Sequence, residues 1–264
     1  MFETLRNAWK IQDLRKKLLY TLLMIIIFRF GSSITVPFLD TTLVGTWMDQ
    51  NATNGNFLEY LDTMTGGALS KATIFSLSIT PYINASIIMQ LLTYALPPLE
   101  RLQQEGEEGR KTLNKITAFV ALGLALFMSV AYYFTLKNSM NAVPAKYLNG
   151  WHEYFVAAVI IASFMAGASL VIWMGNRIND KGIGNGVSML LFAGIAARFP
   201  TDMGRLISLT KSDPAKYLFV TIGVIIFFVL MIGFIVFMTE SERRITIQYA
   251  KRVVGRKQYG GQKT

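Results

Sequence analysis

Uncharged apolar runs of about twenty residues recur along this sequence, and that is the length an α-helix needs to cross the roughly 30 Å hydrocarbon core of a bilayer. Residues 18–38, 116–136, 154–174 and 217–238 are such runs, each with at most one charge inside. Residues 75–96 and 183–198 form two weaker ones: the first contains Pro81 and Asn84, and the second is short. Polar or helix-breaking residues at membrane depth require protein or water around them. With 52% hydrophobic residues in a chain of 264, the expected fold class is an all-α polytopic membrane protein of about six spans.

Charge sets the expected topology. A net charge of +10 would suit a nucleic-acid partner in a soluble protein, but here the Lys and Arg residues alternate from side to side. Eighteen of the 26 fall in four segments that would share one face of the membrane: 1–17, 98–115, 176–181 and 239–264. The opposite segments hold Lys137, Lys146, Arg198, Arg205, Lys211 and Lys216. Cytoplasmic loops carry the positive excess, so both ends of this chain are expected on the cytoplasmic side. The stretch from Asp40 to Phe57, with several Asn and Thr residues, then reads as an extracytoplasmic loop, in which Asn51-Ala52-Thr53 matches a glycosylation acceptor by chance. Arg29 sits deep in the first run and is expected to snorkel outward rather than to find a partner.

The absence of cysteine removes disulfides and Cys-based metal sites. The one histidine, His152, stands between Trp151 and Glu153 at the start of a span, the setting of an interfacial anchor. Arg6, Lys10, Arg15, Lys16 and Lys17 precede an apolar run too long for the core of a signal peptide and lacking an Ala-x-Ala site, so the first span is expected to stay in the mature protein.

Residues 57–74, FLEYLDTMTGGALSKATI, are amphipathic, too short and too charged to span, and centre on Thr65, Gly66, Gly67 and Ala68. A glycine pair supplies backbone freedom or close approach, so this segment is either a turn leading into a helix or a small movable element. Ile79 and Ile83 are four apart, as are Val187 and Leu191, which puts each pair on one helical face. Periodicity by itself assigns them to core packing or lipid contact. Gly182, Gly184 and Gly186 lack the spacing and the preceding strand of a nucleotide-binding loop.

Two longer runs carry a family resemblance. PYINASIIMQLL, from Pro81 to Leu92, and WMGNRINDKGIGNGVS, from Trp173 to Ser188, closely resemble signature segments of the SecY family, and GGALS at 66–70 resembles that family's plug. The resemblance runs from Met1 to Thr264. It implies a SecY-type helical bundle comprising the first of two inverted-repeat halves plus the sixth of about ten helices. On that pattern 1–17 is a cytoplasmic amphipathic N-terminus, 18–38 the first span, 57–74 the plug segment and 75–96 the membrane-crossing part of the second span. Residues 97–115 form a cytoplasmic loop, 116–136 and 154–174 the third and fourth spans, and 175–182 a cytoplasmic turn. Residues 183–198 and 217–238 are the fifth and sixth spans, and 239–264 a basic cytoplasmic loop, cut short.

By the same resemblance Ile79, Ile83, Val187 and Leu191 belong to a hydrophobic pore ring, which can gasket a polypeptide while dewetting blocks ions. Thr65, Gly66, Gly67, Ala68, Leu69 and Ser70 belong to the plug, and Ser86, Gln90 and Thr93 to the lateral gate. Arg110 and Lys111 lie in a segment that resembles a docking loop. Arg243, Arg244, Lys251, Arg252, Arg256 and Lys257 lie in a tail that resembles the loop binding the SecA ATPase or the ribosome, through its rRNA and exit-tunnel proteins. Such cations suit phosphate and acidic partners alike. On residues alone the first of these segments is a solvated charged turn. The tail alternates at Ile245, Ile247 and Tyr249 as a short hairpin whose charge could anchor to anionic lipid.

Two positions depart from the family pattern. Ser78 stands where Gly is usual, and a hydroxyl bonded back to its own helix is expected to leave the fold undisturbed. Asn176 stands where an acidic residue or Gln is common, so an ion pair between this position and Arg177 is not expected.

The implied function is a passive channel of the bacterial cytoplasmic membrane that conducts unfolded preproteins and releases signal sequences and transmembrane segments of nascent chains into lipid, with SecE and SecG as partners. No cofactor, metal or catalytic group is expected. Because the seventh to tenth helices have no counterpart, a fragment or one part of a split protein is expected. Two other classes stay open on residues alone. One is half of a secondary transporter, which needs ionisable groups at the midplane, where only Arg29 comes near; the other is a non-conducting scaffold docked by its basic tail.

Overall fold

The computed structural model describes residues 9–51, 57–148 and 150–242, leaving aside the side chains of 51, 57, 215 and 216, and describes 247–248, 252–254, 257–259 and 262–263 in the backbone alone. The helices, in chain order, are α1 (Gln12–Gly31), α2 (Thr41–Asn51), α3 (Phe57–Thr65), α4 (Thr80–Ala95), α5 (Pro97–Gln104), α6 (Glu107–Asn138), α7 (Trp151–Lys181), α8 (Gly186–Ser212) and α9 (Pro214–Glu240). The chain divides into two compact units, Met1–Pro200 and Thr201–Thr264.

In the first unit α6 packs against α4 and α7, and α7 also packs against α1. Helix α7 buries Val156, Ile160, Phe164, Ala168, Val171, Met174 and Ile178, a stripe recurring every three or four residues. Its remaining faces are apolar as well, with Leu170 and Trp173 exposed, the pattern of a helix solvated by lipid rather than water. One apolar cluster joins Tyr132 and Leu136 of α6 to Ile160 and Phe164 of α7, together with Val36, Val44 and Leu69. A second joins Met24 and Phe28 of α1 to Phe75, Ile79, three residues of α7 (Val171, Met174, Ile178) and Leu190 of α8.

Between α3 and α4 the backbone is irregular, and it lies inside this unit. The Val36 N–H donates to the Ala72 carbonyl at 3.0 Å and the Ile74 N–H to the Ile34 carbonyl at 2.9 Å, flanking a single antiparallel bridge between Thr35 and Thr73. The Tyr132 hydroxyl donates to the Leu69 carbonyl at 2.8 Å. A methyl group on Gly167, at the middle of α7, would fall on the Ile74 carbonyl, so only glycine allows this approach.

Several boundaries differ from the sequence expectation. Helix α1 stops at Gly31 rather than near 38, where the Ser32 and Ser33 hydroxyls donate to the Arg29 carbonyl at 2.7 and 3.3 Å. A helix, α2, occupies part of the expected loop. Asp40 caps it, its carboxylate accepting the Thr42 N–H at 3.0 Å and the Thr42 hydroxyl at 2.5 Å. The hydroxyl bond, then the backbone bond, hold this carboxyl below the usual carboxylate range.

Helix α4 starts at Thr80 with Pro81 in its first turn, where a missing N–H does no harm, so 75–79 belong to the irregular segment. Helices α6 and α7 extend to Glu107 and Lys181, which shrinks the turn expected over 175–182. Helix α8 continues through Pro200 to Ser212. Among the described residues, three helices are long and apolar enough to cross a membrane by length and composition alone: Glu107–Asn138, Trp151–Lys181 and Tyr217–Glu240. Helix α1 carries Asp13, Arg15, Lys16, Lys17 and Arg29, and α4 has 16 residues.

In the second unit the apolar side chains of α9 from Leu218 to Met238 are exposed on every face, which suits lipid or a partner helix. The tail forms two short antiparallel pairs instead of the one hairpin expected: Ile247–Gln248 with Gln262–Lys263, and Arg252–Val254 with Lys257–Tyr259. Ile245 and Tyr249 lie outside the described residues.

Ser78 precedes α4 and has φ 48°, so it has no helix of its own to bond back to. In that left-handed region an L side chain costs about 1–2 kcal/mol and glycine costs nothing. Ser78→Gly is therefore expected to stabilise the protein by about 1 kcal/mol, read as a higher midpoint of thermal unfolding in detergent; a lower midpoint would contradict the strain argument.

Candidate pore-lining site

The connection from α7 to α8 is built by side-chain caps on a glycine turn. Asn179 accepts the Gly186 N–H at 2.7 Å, and Asn185 accepts those of Val187 and Ser188 at 3.0 and 3.4 Å. From α1, the Thr21 hydroxyl accepts the Ile183 N–H at 3.1 Å. These bonds fix the turn and the start of α8 against α7 and α1. A methyl on Gly186 would collide with the Gly175 carbonyl, so the two helices meet at backbone distance.

That approach gathers Ile79, Ile83, Val187 and Leu191 into one apolar cluster with Met24, Phe28, Met174 and Leu190. Ile79 is 1% exposed, whereas Ile83, Val187 and Leu191 keep part of their surface open. A Cβ on Gly175 would lie 3.6 Å from both Ile79 Cδ1 and Val187 Cγ2, which makes Gly175 the floor on which the two aliphatic groups converge. A cleft of about 260 Å³ opens beside them, lined by Tyr82, Ile83, Ser86, Asn179, Asn185 and Val187.

The segment after α3 is held by Asp62. Thr65, Ala68 and Leu69 are buried, and Gly66, Gly67 and Ser70 are half-buried. Gly66 and Gly67 have φ 71° and 84°, values at which glycine alone is unstrained. The Asp62 carbonyl accepts the Gly67 N–H at 2.9 Å and the Thr65 hydroxyl at 3.0 Å. Its carboxylate accepts the Ser70 N–H at 2.7 Å and forms an ion pair with Arg198 of α8. Both partners are largely buried, with side chains 4% and 14% exposed. Sequence reading placed Arg198 at the end of a span and gave Asp62 no role, because neither residue belongs to a periodic pattern.

Arg29 does not snorkel. Its Nη1 is buried without a hydrogen-bond partner and lies 3.0 Å from the position a Cβ on Gly66 would take. Depth was legible in the sequence; the direction in which α1 faces depends on its packing against α7.

Ser86, Gln90 and Thr93 follow one face of α4 and line a cleft of about 320 Å³ with Gln103 of α5 and Arg110, Asn114 and Thr117 of α6. Thr93 is buried, donating to the Met89 carbonyl at 2.7 Å. Arg110 and Lys111 are exposed in the first turn of α6. Arg177 pairs with Asp180 at 3.8 Å and sits 5.7 Å from the Trp173 ring, so the Asn at 176 leaves it with partners. Arg243, Arg244, Lys251 and Arg256 lie outside the described residues, and Arg252 and Lys257 are described only in the backbone of the strand pair. Among the described residues no three metal-ligating side chains cluster.

A family model described as SecY matches residues 73–264. The protein translocase subunit SecY of Corynebacterium glutamicum is 39% identical over 260 residues, covering 98% of this chain and 58% of that protein. The subunit of Thermotoga maritima is 39% identical over 267 residues, covering 100% and 60%, and that of Buchnera aphidicola is 36% identical over 252 residues, covering 96% and 69%. The chain thus spans about three-fifths of the length of the first two of these relatives. Among solved structures, Sec61 in a canine ribosome-channel complex from the endoplasmic reticulum aligns with a TM-score of 0.56 at 19% identity, over 83% of this chain and 47% of that one. A structure described as a protein conducting channel aligns with a TM-score of 0.51 at 18% identity, over 93% and 52%; at such identities the likeness is one of fold. With its family model matched over most of its length and its helices long and apolar enough to cross a bilayer, this multi-pass membrane protein belongs to the SecY family.

Proposed function

We propose that this chain forms the N-terminal part of a protein-conducting channel that secretes unfolded preproteins across the bacterial cytoplasmic membrane and releases transmembrane segments into it. The observation that carries this reading is the meeting of Ile79 at the cap of α4, Ile83 on α4, and Val187 and Leu191 on α8, in one apolar cluster beside an open cleft. Aliphatic side chains can close around a passing chain of any sequence, because they make no demand for hydrogen bonds, and their dewetting keeps ions out. That the relatives are named protein translocase subunits supports the same reading.

In this reading residues 57–74 are the plug, and Ser86, Gln90 and Thr93 on α4 face the lateral gate through which signal sequences reach lipid. Arg110, Lys111 and the basic tail dock SecA or the ribosome, SecE and SecG complete the translocase, and both ends of this chain lie in the cytoplasm, as the distribution of Lys and Arg supports. The driving force comes from those partners, and this chain supplies the path. Half of a secondary transporter would find a coupling site in the buried Asp62–Arg198 pair, but membership of the SecY family weighs against it.

Ile83 and Leu191 are the ring positions to test, since both retain open surface and tolerate a polar group better than buried Ile79. Replacing both with Asn in the assembled translocase should raise resting ion flux in proteoliposomes about tenfold or more, because a hydrated ring no longer dewets. Wild-type flux from a normally assembled double variant would refute the pore assignment.

A further inference from the structure

Two guanidinium groups bracket the glycine turn of residues 66–67 from two different helices. Arg29 of α1 lies 3.0 Å from the Cβ position of Gly66, and Arg198 of α8 lies 4.0 Å from that of Gly67. One carboxylate, Asp62, stands with them, paired to Arg198 and bonded to the Ser70 N–H. Arg29 Nη1 is buried beside the turn without a protein hydrogen-bond partner. Asp62 belongs to the same segment as the turn, 57–74, whereas both cations belong to long helices of the surrounding bundle.

The consequence is directional. If the segment moved out, it would carry Asp62 away from Arg198 and separate a largely buried ion pair, in surroundings where charge is poorly screened. The bonds from Gly67, Thr65 and Ser70 to Asp62 travel with the segment, whereas those to Tyr132, Val36 and Ile34 break along with the pair. The Asp62–Arg198 pair is therefore a contact that must break when 57–74 leaves the bundle as a unit.

We propose that Asp62 and Arg198 are positioning residues that set the opening threshold of the channel by holding residues 57–74 against α8. This rests on the channel reading above. A passing chain displaces the segment only if its binding offsets the loss of the pair, and weakening the pair shifts the resting population toward the open state.

The test is made on the complete translocase in proteoliposomes, measuring resting ion flux and, separately, transport of a secretory precursor. Asp62→Asn and Arg198→Gln are each expected to raise resting flux on the order of tenfold, with precursor transport retained. Exchanging the two charges, Asp62→Arg with Arg198→Asp, is expected to lower the flux below that of either single variant without restoring wild type, because the pair re-forms while the Ser70 N–H loses its acceptor, a rescue that loss of general stability does not produce. If a neutral variant assembles poorly, Arg198→Lys, which keeps the charge and loses the fork, is expected to give an intermediate leak. Wild-type flux from the assembled single variants, or from Arg198→Lys where those do not assemble, overturns the latch even where the precursor still crosses. Failure of the wild-type complex to transport the precursor at all overturns the channel reading instead.

Discussion

The irregular backbone between Gly66 and Ile79 has to find its hydrogen bonds within protein, and the arrangement of the first unit follows from that need. Helices of a membrane protein satisfy their own N–H and C=O groups; a turn does not. Here the strand-like residues after α1 bond Ala72 and Ile74, Tyr132 of α6 bonds Leu69, and Asp62 bonds Gly67 and Ser70. The first two come from elsewhere in the unit, and Asp62 from the segment itself. The turn is thereby locked in place, and the start of α4, with Ile79 at its cap, is positioned by what precedes it.

Close backbone approach is the second requirement, and glycine supplies it where helices must yield. Gly167 admits the Ile74 carbonyl, and Gly186 admits that of Gly175. The first contact seats the irregular segment against the middle of α7. The second brings α8 close enough for Val187 and Leu191 to join Ile79 and Ile83. A larger side chain at either position would separate the elements whose meeting creates the candidate pore.

Much of this was legible in the sequence for a physical reason: an uncharged run of more than twenty residues has one stable form in lipid, so α6, α7 and α9 were read directly. Ile79, Ile83, Val187 and Leu191 were proposed as a ring through family resemblance, since their spacing alone fits packing equally well. Other features depend on contacts between residues remote in sequence. Nothing local to Asp62 points to Arg198, and nothing local to Arg29 shows which way α1 faces. Helix α2 was hidden by the Thr and Asn residues that otherwise mark a loop, its cap at Asp40 outweighing them. Ser78 was misread because its helix begins at Thr80, five residues later than the apolar run suggested.

The most direct measurement places single cysteines at Ile83 and Leu191, in a chain with no cysteine of its own, and asks whether each crosslinks to a secretory precursor stalled in the assembled translocase. Signal-dependent crosslinks at both positions are the result expected if α4 and α8 line the polypeptide path. A precursor that crosses the membrane with normal efficiency while reacting at neither position would show that these residues face packed protein or lipid, and would contradict the account.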